Sequence, residues 1–147
     1  MTIKSFRGLI VDSKTDIVSL HTNTGSQGYR MVKFGVMPNQ PFNKDQESII
    51  KVYKVPQGTP NGVVDFSDQT LLAVGIFKGN DTVGSSQTTT EVFFDNEIFN
   101  QDLFITCYDA ATGESLNYYF ELEIVNLDLT ENTVATLKDI RNIEANV

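Results

Sequence analysis

The segment LNYYFELEI, Leu116 to Ile124, decides the fold class of this chain. Its alternate positions are apolar: Leu116, Tyr118, Phe120, Leu122 and Ile124. The positions between them carry polar groups: Asn117, Tyr119, Glu121 and Glu123. A β-strand places successive side chains on opposite faces, so this alternation predicts an antiparallel strand with one buried and one wet face. The preceding DAATGE, Asp109 to Glu114, predicts a hairpin loop in which Gly113 can adopt a positive φ.

The same period of two recurs along the rest of the chain. In GYRMVKFGVM it puts Arg30 on one face with Val32, Phe34 and Val36, and Met31, Lys33 and Gly35 on the other. Further strands are predicted at SIIKVYKV, TLLAVGIF, TTTEVFFDN and DLFITCYDA. Near the start, FRGLIVD and DIVSLHT flank a turn at SKT, which predicts an opening hairpin.

Segments rich in Gly, Pro, Asn and Asp separate these strands. They are MPNQPFNKDQE, PQGTPNG and GNDTVGSSQ, and VVDF lies between the last two, ahead of TLLAVGIF. None is long enough to be a linker between domains. About nine short strands separated by such turns predict one all-β domain over residues 1–147, an antiparallel β-sandwich of jelly-roll-like type.

The C-terminal segment, residues 129–147, has a different rhythm. Thr130 or Asp128 could cap a helix, and Glu131 suits its first turn. The stripe that follows at helical spacing consists of Val134, Leu137, Ile140 or Arg141, and Ile143. This pattern predicts a short helix. The alternatives are a final strand and turn, or an arm that reaches a neighbouring molecule.

Charge and composition exclude several classes of partner. Nineteen acidic against eleven basic residues give a net charge of -8, and the basic residues are scattered singly, so neither nucleic acid nor an anionic membrane is an expected partner. Cys107 is the only cysteine, which rules out an intrachain disulfide. The apolar run Gly8–Val11 is too short for a signal peptide core, so synthesis in the cytoplasm is expected.

Residues capable of catalysis are sparse. His21 is the only histidine and has no acid or nucleophile beside it in sequence, and Cys107 alternates with apolar neighbours as a core residue would. Glu121 and Glu123 are a candidate glycosidase pair, but strand alternation alone explains their spacing. FDNE with Asp102 offers oxygen ligands for Ca²⁺ without the ligand order of a known loop. No enzyme activity, metal or cofactor is therefore predicted.

Three phenylalanines lie beside turn segments rather than in the middle of strands: Phe42, Phe66 and Phe99. An exposed aromatic ring in such a place is a typical anchor for a protein partner. We therefore predict these residues as partner contacts. The alternative for each is that the ring fills space in the core.

Several segments together resemble small structural proteins of tailed bacteriophages, in particular those of marine bacteria. They are SFRGLIVD, GYRMVKFGVMPNQP, SIIKVYK, FDNEIFNQDLFITCYD, NYYFELEIV and TVATLKDIRNIE. The resemblance implies a capsid decoration or cement protein that is made in the host cytoplasm, joins the virion and binds the major capsid protein as a homo-oligomer. The alternatives are a neck, tail or fibre-associated protein, a β-sandwich that binds host glycans, a stand-alone bacterial binding module, and a small carbohydrate-active enzyme.

Overall fold

The computed structural model describes residues 2–20, 26–41, 45–79, 87–111 and 113–127. These residues form nine strands: β1 Thr2–Ile10, β2 Thr15–Val18, β3 Gln27–Pro38, β4 Gln46–Tyr53, β5 Leu71–Gly79, β6 Thr88–Phe93, β7 Ile98–Phe99, β8 Leu103–Asp109 and β9 Leu116–Asn126. The described part of the chain contains no helix that could span a membrane. The predicted helix or arm at 129–147 lies outside the described residues.

The strands form two antiparallel sheets, which confirms the predicted β-sandwich. Sheet A has the order β1-β9-β3-β7, and sheet B has the order β2-β8-β4-β5-β6. β9 pairs along its length with β1 on one side and with β3 on the other. The segment that decides the fold class is therefore an inner strand of sheet A, between β1 and β3.

The main core lies between the two sheets. Phe120 of β9 is fully buried there and stacks on Phe6 of β1 with ring centroids 5.2 Å apart. Sheet B contributes Ile50, Leu103 and Ile105, each of which is fully buried. The alternation predicted for β9 is confirmed, because Leu116, Tyr118, Phe120 and Leu122 are buried while the residues between them are only partly covered.

The faces predicted for β3 are wrong in its first half. Met31 is fully buried and pairs with Leu122, but the next paired residue on β3 is Lys33, so Val32 is an extra residue at a β-bulge. A bulge moves all later side chains to the other face. Arg30, which precedes the bulge, lies on the outer face of sheet A, whereas Phe34 and Val36, which follow it, point inward.

The predicted opening hairpin is also wrong. β1 pairs with β9 in sheet A, whereas β2 pairs with β8 in sheet B. The turn at Asp12 and Ser13 carries the chain from one sheet to the other, and Ser13 has a φ of 65°. Gly113 has the predicted positive φ, 79°, but its loop also connects the two sheets rather than two paired strands.

Candidate functional site

The three predicted partner contacts have different outcomes. Phe66 is 56% exposed and lies on a loop over the outer face of sheet B. Phe99 is 1% exposed and packs against Tyr29 in the core, with ring centroids 6.0 Å apart. The prediction of a partner contact is therefore wrong for Phe99, which fills core space as the alternative proposed. Phe42 lies outside the described residues.

The loop that carries Phe66 follows β4 and spans residues 54–70; we call it the Phe66 loop. It folds back over sheet B, because the ring of Tyr108 on β8 lies 3.5 Å from the position that a Cβ on Gly62 would take. Beneath the loop lies a second apolar cluster on the outer face of sheet B: Ile49, Tyr53, Leu71 and Val74, with Phe94, Phe104 and Tyr108 packed against them.

A buried lysine holds the middle of the Phe66 loop. Lys51 of β4 is 3% exposed, and its Nζ donates hydrogen bonds to Asn61 Oδ1 at 3.1 Å and to the Val63 carbonyl at 2.6 Å. Burial lowers the pKa of Lys51, while the charge of Asp68 acts in the opposite direction. An ammonium group that donates two such bonds exchanges water for fixed partners in the loop.

A second buried lysine holds the base of the loop. The Lys54 side chain is almost fully covered, and its Nζ lies 3.7 Å from Glu97 Oε2. The Lys54 amide donates to the Thr70 carbonyl at 2.8 Å, which closes the two ends of the loop on each other. The loop is thus fixed at its middle and at its base.

Two consecutive side-chain turns set the position of Phe66 itself. Asp65 Oδ1 accepts hydrogen bonds from the Ser67 amide at 2.9 Å and from its hydroxyl at 2.6 Å. Asp68 Oδ1 accepts from the Thr70 amide and hydroxyl at the same two distances. Such turns replace backbone hydrogen bonds and restrict the local conformation. The bonds from Ser67 also lower the pKa of Asp65.

The Phe66 ring forms one side of a shallow cleft. It meets Phe94 edge to face, with centroids 5.4 Å apart and an interplanar angle of 88°. The cleft has a volume of about 510 Å³, and Asp68, Asp95 and Glu97 line its rim. The aromatic pair is therefore a partly exposed apolar contact in a cleft whose lining is otherwise mainly polar.

The segment FDNE, predicted as a possible source of Ca²⁺ ligands, lies at this cleft. The carboxylates of Glu97 and Asp102 have separate partners. Glu97 faces Lys54, and the Asp102 carboxylate accepts a hydrogen bond from the Leu20 amide at 2.9 Å. Within the described ranges, no group of three or more His, Cys, Asp or Glu side chains could hold a metal ion.

Glu121 and Glu123 lie on the outer face of sheet A, where alternation predicted them. Glu123 forms an ion pair with Arg30 of β3. Glu121 Oε1 accepts a hydrogen bond from the Tyr119 hydroxyl at 3.0 Å. These contacts are those of cross-strand and same-face neighbours on a wet sheet surface.

Cys107 fills core space, as predicted. It is fully buried, and burial raises the pKa of its thiol to about 12, so the nucleophilic thiolate form is suppressed. His21 lies outside the described residues.

A second concave surface lies on the opposite side of the molecule, on the outer face of sheet A. A Cβ on Gly35 would meet no atom within 4 Å, so the missing side chain leaves a depression in the sheet. Leu9, Met37 and Tyr119 surround it, and the depression measures about 600 Å³. We call it the Gly35 depression. Leu9 is 47% and Met37 is 64% exposed.

Sequence reasoning missed both buried lysines and the Gly35 depression. The repeated Asp-x-Ser and Asp-x-Thr at 65–70 were a usable signal for an ordered loop, and a lone glycine inside a strand was a usable signal for a depression. No family model and no curated protein matches this chain.

Proposed function

We propose that this chain is a structural protein of a tailed-bacteriophage particle. It decorates or cements the capsid shell in many symmetric copies and uses the Phe66 loop as its protein-contact element. The observation that carries the proposal is a half-exposed aromatic ring on a loop fixed by Lys51 and Lys54. The resemblance of the sequence to small virion proteins is the reason for proposing a phage particle as the place where it acts.

The order of the loop supports a binding role. A flexible loop loses side-chain and backbone freedom when it binds, at about 0.5–1.5 kcal/mol for each immobilised side chain. The Asp65 and Asp68 turns already restrict the backbone around Phe66, so less of this loss remains at the moment of binding. Aromatic anchors of this kind contribute a large share of the energy of protein interfaces.

The size and charge of the protein also suit this role. A 16.4 kDa sandwich offers a contact of modest area, which becomes strong when several linked copies bind neighbouring lattice sites together. A net charge of -8 disfavours competition with the shell for DNA.

Cosedimentation of the purified protein with capsid shells that lack it tests the proposal. We expect saturable binding at a fixed number of copies per shell, and we expect Phe66→Ala to weaken it at least tenfold. Ile17→Ala is the matched control, because it also shortens a side chain that is 63% exposed, here on the edge strand β2. This variant should bind shells as the wild type does. If the wild type never binds shells, a decoration role is excluded.

A neck or tail component is the second candidate function. It is favoured by two concave surfaces that expose apolar side chains, the Phe66–Phe94 cleft on the side of sheet B and the Gly35 depression on the side of sheet A. Two different contact surfaces on opposite sides suit a protein that lies between two unlike neighbours in a stack with a fixed direction. Binding to isolated tails rather than to shells in the same sedimentation experiment would select this candidate.

A further inference from the structure

We propose that β1 of one copy pairs antiparallel with β1 of a second copy about a two-fold axis at Phe6, so that two four-stranded sheets A become one continuous sheet. This inference goes beyond the proposed function, because it states how two copies are joined. It also uses a different surface. The Phe66 loop lies over the outer face of sheet B and stays free for the shell.

β1 is a long open edge of sheet A. Its nine residues pair with β9 on one side, and no described residue pairs with them on the other. Alternate residues of an antiparallel strand point their N–H and C=O groups to opposite sides, so the outer side of β1 presents a row of such groups. The register with β9 runs from Thr2 to Ile10 without a bulge, and the strand contains no proline. β1 therefore lacks two of the features by which edge strands resist pairing.

The other described edge strands are less suited to pairing with a second copy. β2 has four residues and β7 has two. β6 has six, but the carboxylate of its Glu91 accepts a hydrogen bond from the Val36 amide of β3 at 3.2 Å, which ties this strand to sheet A. Among the described edges, β1 therefore offers the longest regular strand.

A two-fold axis at Phe6 makes the outer-face residues of β1 complementary to themselves. It places Ile3 of each copy opposite Leu9 of the other, and these side chains are 40% and 47% exposed. It also places Arg7 opposite the neutral Ser5. An axis at Arg7 would instead bring two Arg7 side chains together, and an axis at Ser5 would set Ile3 against Arg7. Because apolar cross-strand pairs stabilise a sheet and like charges destabilise it, the axis at Phe6 is favoured.

Lys4 lies on the inner face of β1, and an inward-pointing charge can protect an edge strand. About the axis at Phe6, however, Lys4 lies opposite Gly8 of the second copy, which has no side chain to obstruct it. The Tyr118 hydroxyl lies 2.6 Å from the position that a Cβ on Gly8 would take, and it donates a hydrogen bond to Asp16 Oδ2 at 3.2 Å. The Lys4 ammonium of one copy therefore faces a carboxylate of the other, and the pairing compensates the charge.

The pairing puts both Phe66 loops on one side of the dimer. Residues that face each other in an antiparallel pair have their side chains on the same face of the sheet, so the outer faces of the two sheets A are continuous. The two sheets B, each with its Phe66 loop, then lie together on the other side. Such a dimer can bind two neighbouring shell sites at once, and its second contact is effectively intramolecular.

Disulfide mapping tests the register of the pairing. Ile3→Cys and Leu9→Cys place thiols on residues that face each other between two copies, where the Cα atoms lie roughly 4.5–5.5 Å apart. After the two variants are mixed and mildly oxidised, we expect a covalent heterodimer joined between positions 3 and 9. Neither variant alone should cross-link, because its two new thiols lie about 20 Å apart in the dimer. Cys107 is fully buried, so the wild type should not cross-link either.

Sedimentation velocity over a concentration series tests the charges. We expect the wild type to form dimers and nothing larger, since a symmetric contact closes at two copies. Ser5→Lys sets a cation against Arg7 twice in each dimer and should weaken dimerisation roughly tenfold or more. Adding Arg7→Glu to that variant should restore dimers, because opposite charges then face each other. Thr90→Lys is the matched control, since it puts the same charge on the exposed edge strand β6, and it should dimerise as the wild type does.

A wild type that is monomeric at every concentration would overturn the inference, and so would a mixture of Ile3→Cys and Leu9→Cys that gives no covalent heterodimer. The failure of this inference is separable from the failure of the proposed function. If the wild type binds shells through Phe66 as a monomer, the β1 contact is refuted and the decoration role stands. If the wild type dimerises through β1 but binds no shell, the decoration role is refuted and the β1 contact stands.

Discussion

Replacement of Lys51 by methionine tests whether a buried ammonium orders the Phe66 loop. The change keeps most of the buried apolar chain but removes the two hydrogen bonds to Asn61 Oδ1 and the Val63 carbonyl. Hydrogen bonds to charged groups contribute about 1.5–3 kcal/mol each. Loss of the buried charge also removes a desolvation cost of several kcal/mol, so most of the global stability should be retained.

Global stability and the local opening of the Phe66 loop respond differently to Lys51→Met. Global stability from urea denaturation should fall by about 1–2 kcal/mol, since the lost bonds and the removed desolvation cost nearly cancel. Locally, loss of the two bonds should accelerate amide exchange at least about 10- to 150-fold, which is the effect of a single bond of about 1.5–3 kcal/mol, because every 1.4 kcal/mol corresponds to a factor of ten. The relevant amides are those of Val63 and Ser67, which donate to Asn61 and Asp65.

Lys78→Met is the matched control for this experiment. The Lys78 side chain on β5 is 74% exposed and lies 3.7 Å from Glu47, so its removal should change stability by less than about 0.5 kcal/mol. Exchange in the Phe66 loop should not change. If Lys51→Met leaves the exchange rates of Val63 and Ser67 at wild-type values, the ammonium does not order the loop and our argument about its anchoring is refuted.

Three further predictions concern the core, pH and the outer face of sheet A. Phe120→Ala should cost about 3–5 kcal/mol in urea denaturation, because the ring is fully buried and stacked on Phe6; a cost below 1 kcal/mol would contradict the packing. Burial raises the pKa of Cys107 from 9.0 to about 12, so the unfolded chain loses a proton between those values that the folded chain keeps. Stability should therefore be independent of this group below pH 9 and should fall above it by up to about 1.4 kcal/mol per pH unit, and Cys107→Ala should reduce that slope between pH 9 and 10. Glu121→Gln and Glu123→Gln should leave shell binding unchanged, and a loss of glycan hydrolysis or glycan binding in either variant would instead support a carbohydrate-directed role.

The candidate site was only partly predictable from the sequence. Phe66 was identified by its place beside a turn segment, but the same reasoning selected Phe99, which is buried. The difference depends on which side of the fold each turn faces, and that is a property of the packed sheets. Lysines at positions 51 and 54 also look like surface residues in a strand pattern, and only the return of the loop over sheet B buries them.

Alternation along the chain determined the β class and the buried face of β9, and the turn residues of DAATGE determined the positive φ of Gly113, since each depends on local geometry that neighbouring residues control. Only the tertiary structure decided that β1 pairs with β9 rather than β2, and that β8 and β9 belong to different sheets. These pairings join residues far apart in sequence, and the period of two is the same whichever partner a strand takes. The bulge at Val32 has the same origin, because it reconciles β3 with the register of β9 and so leaves Arg30 and Lys33 on the outer face of sheet A.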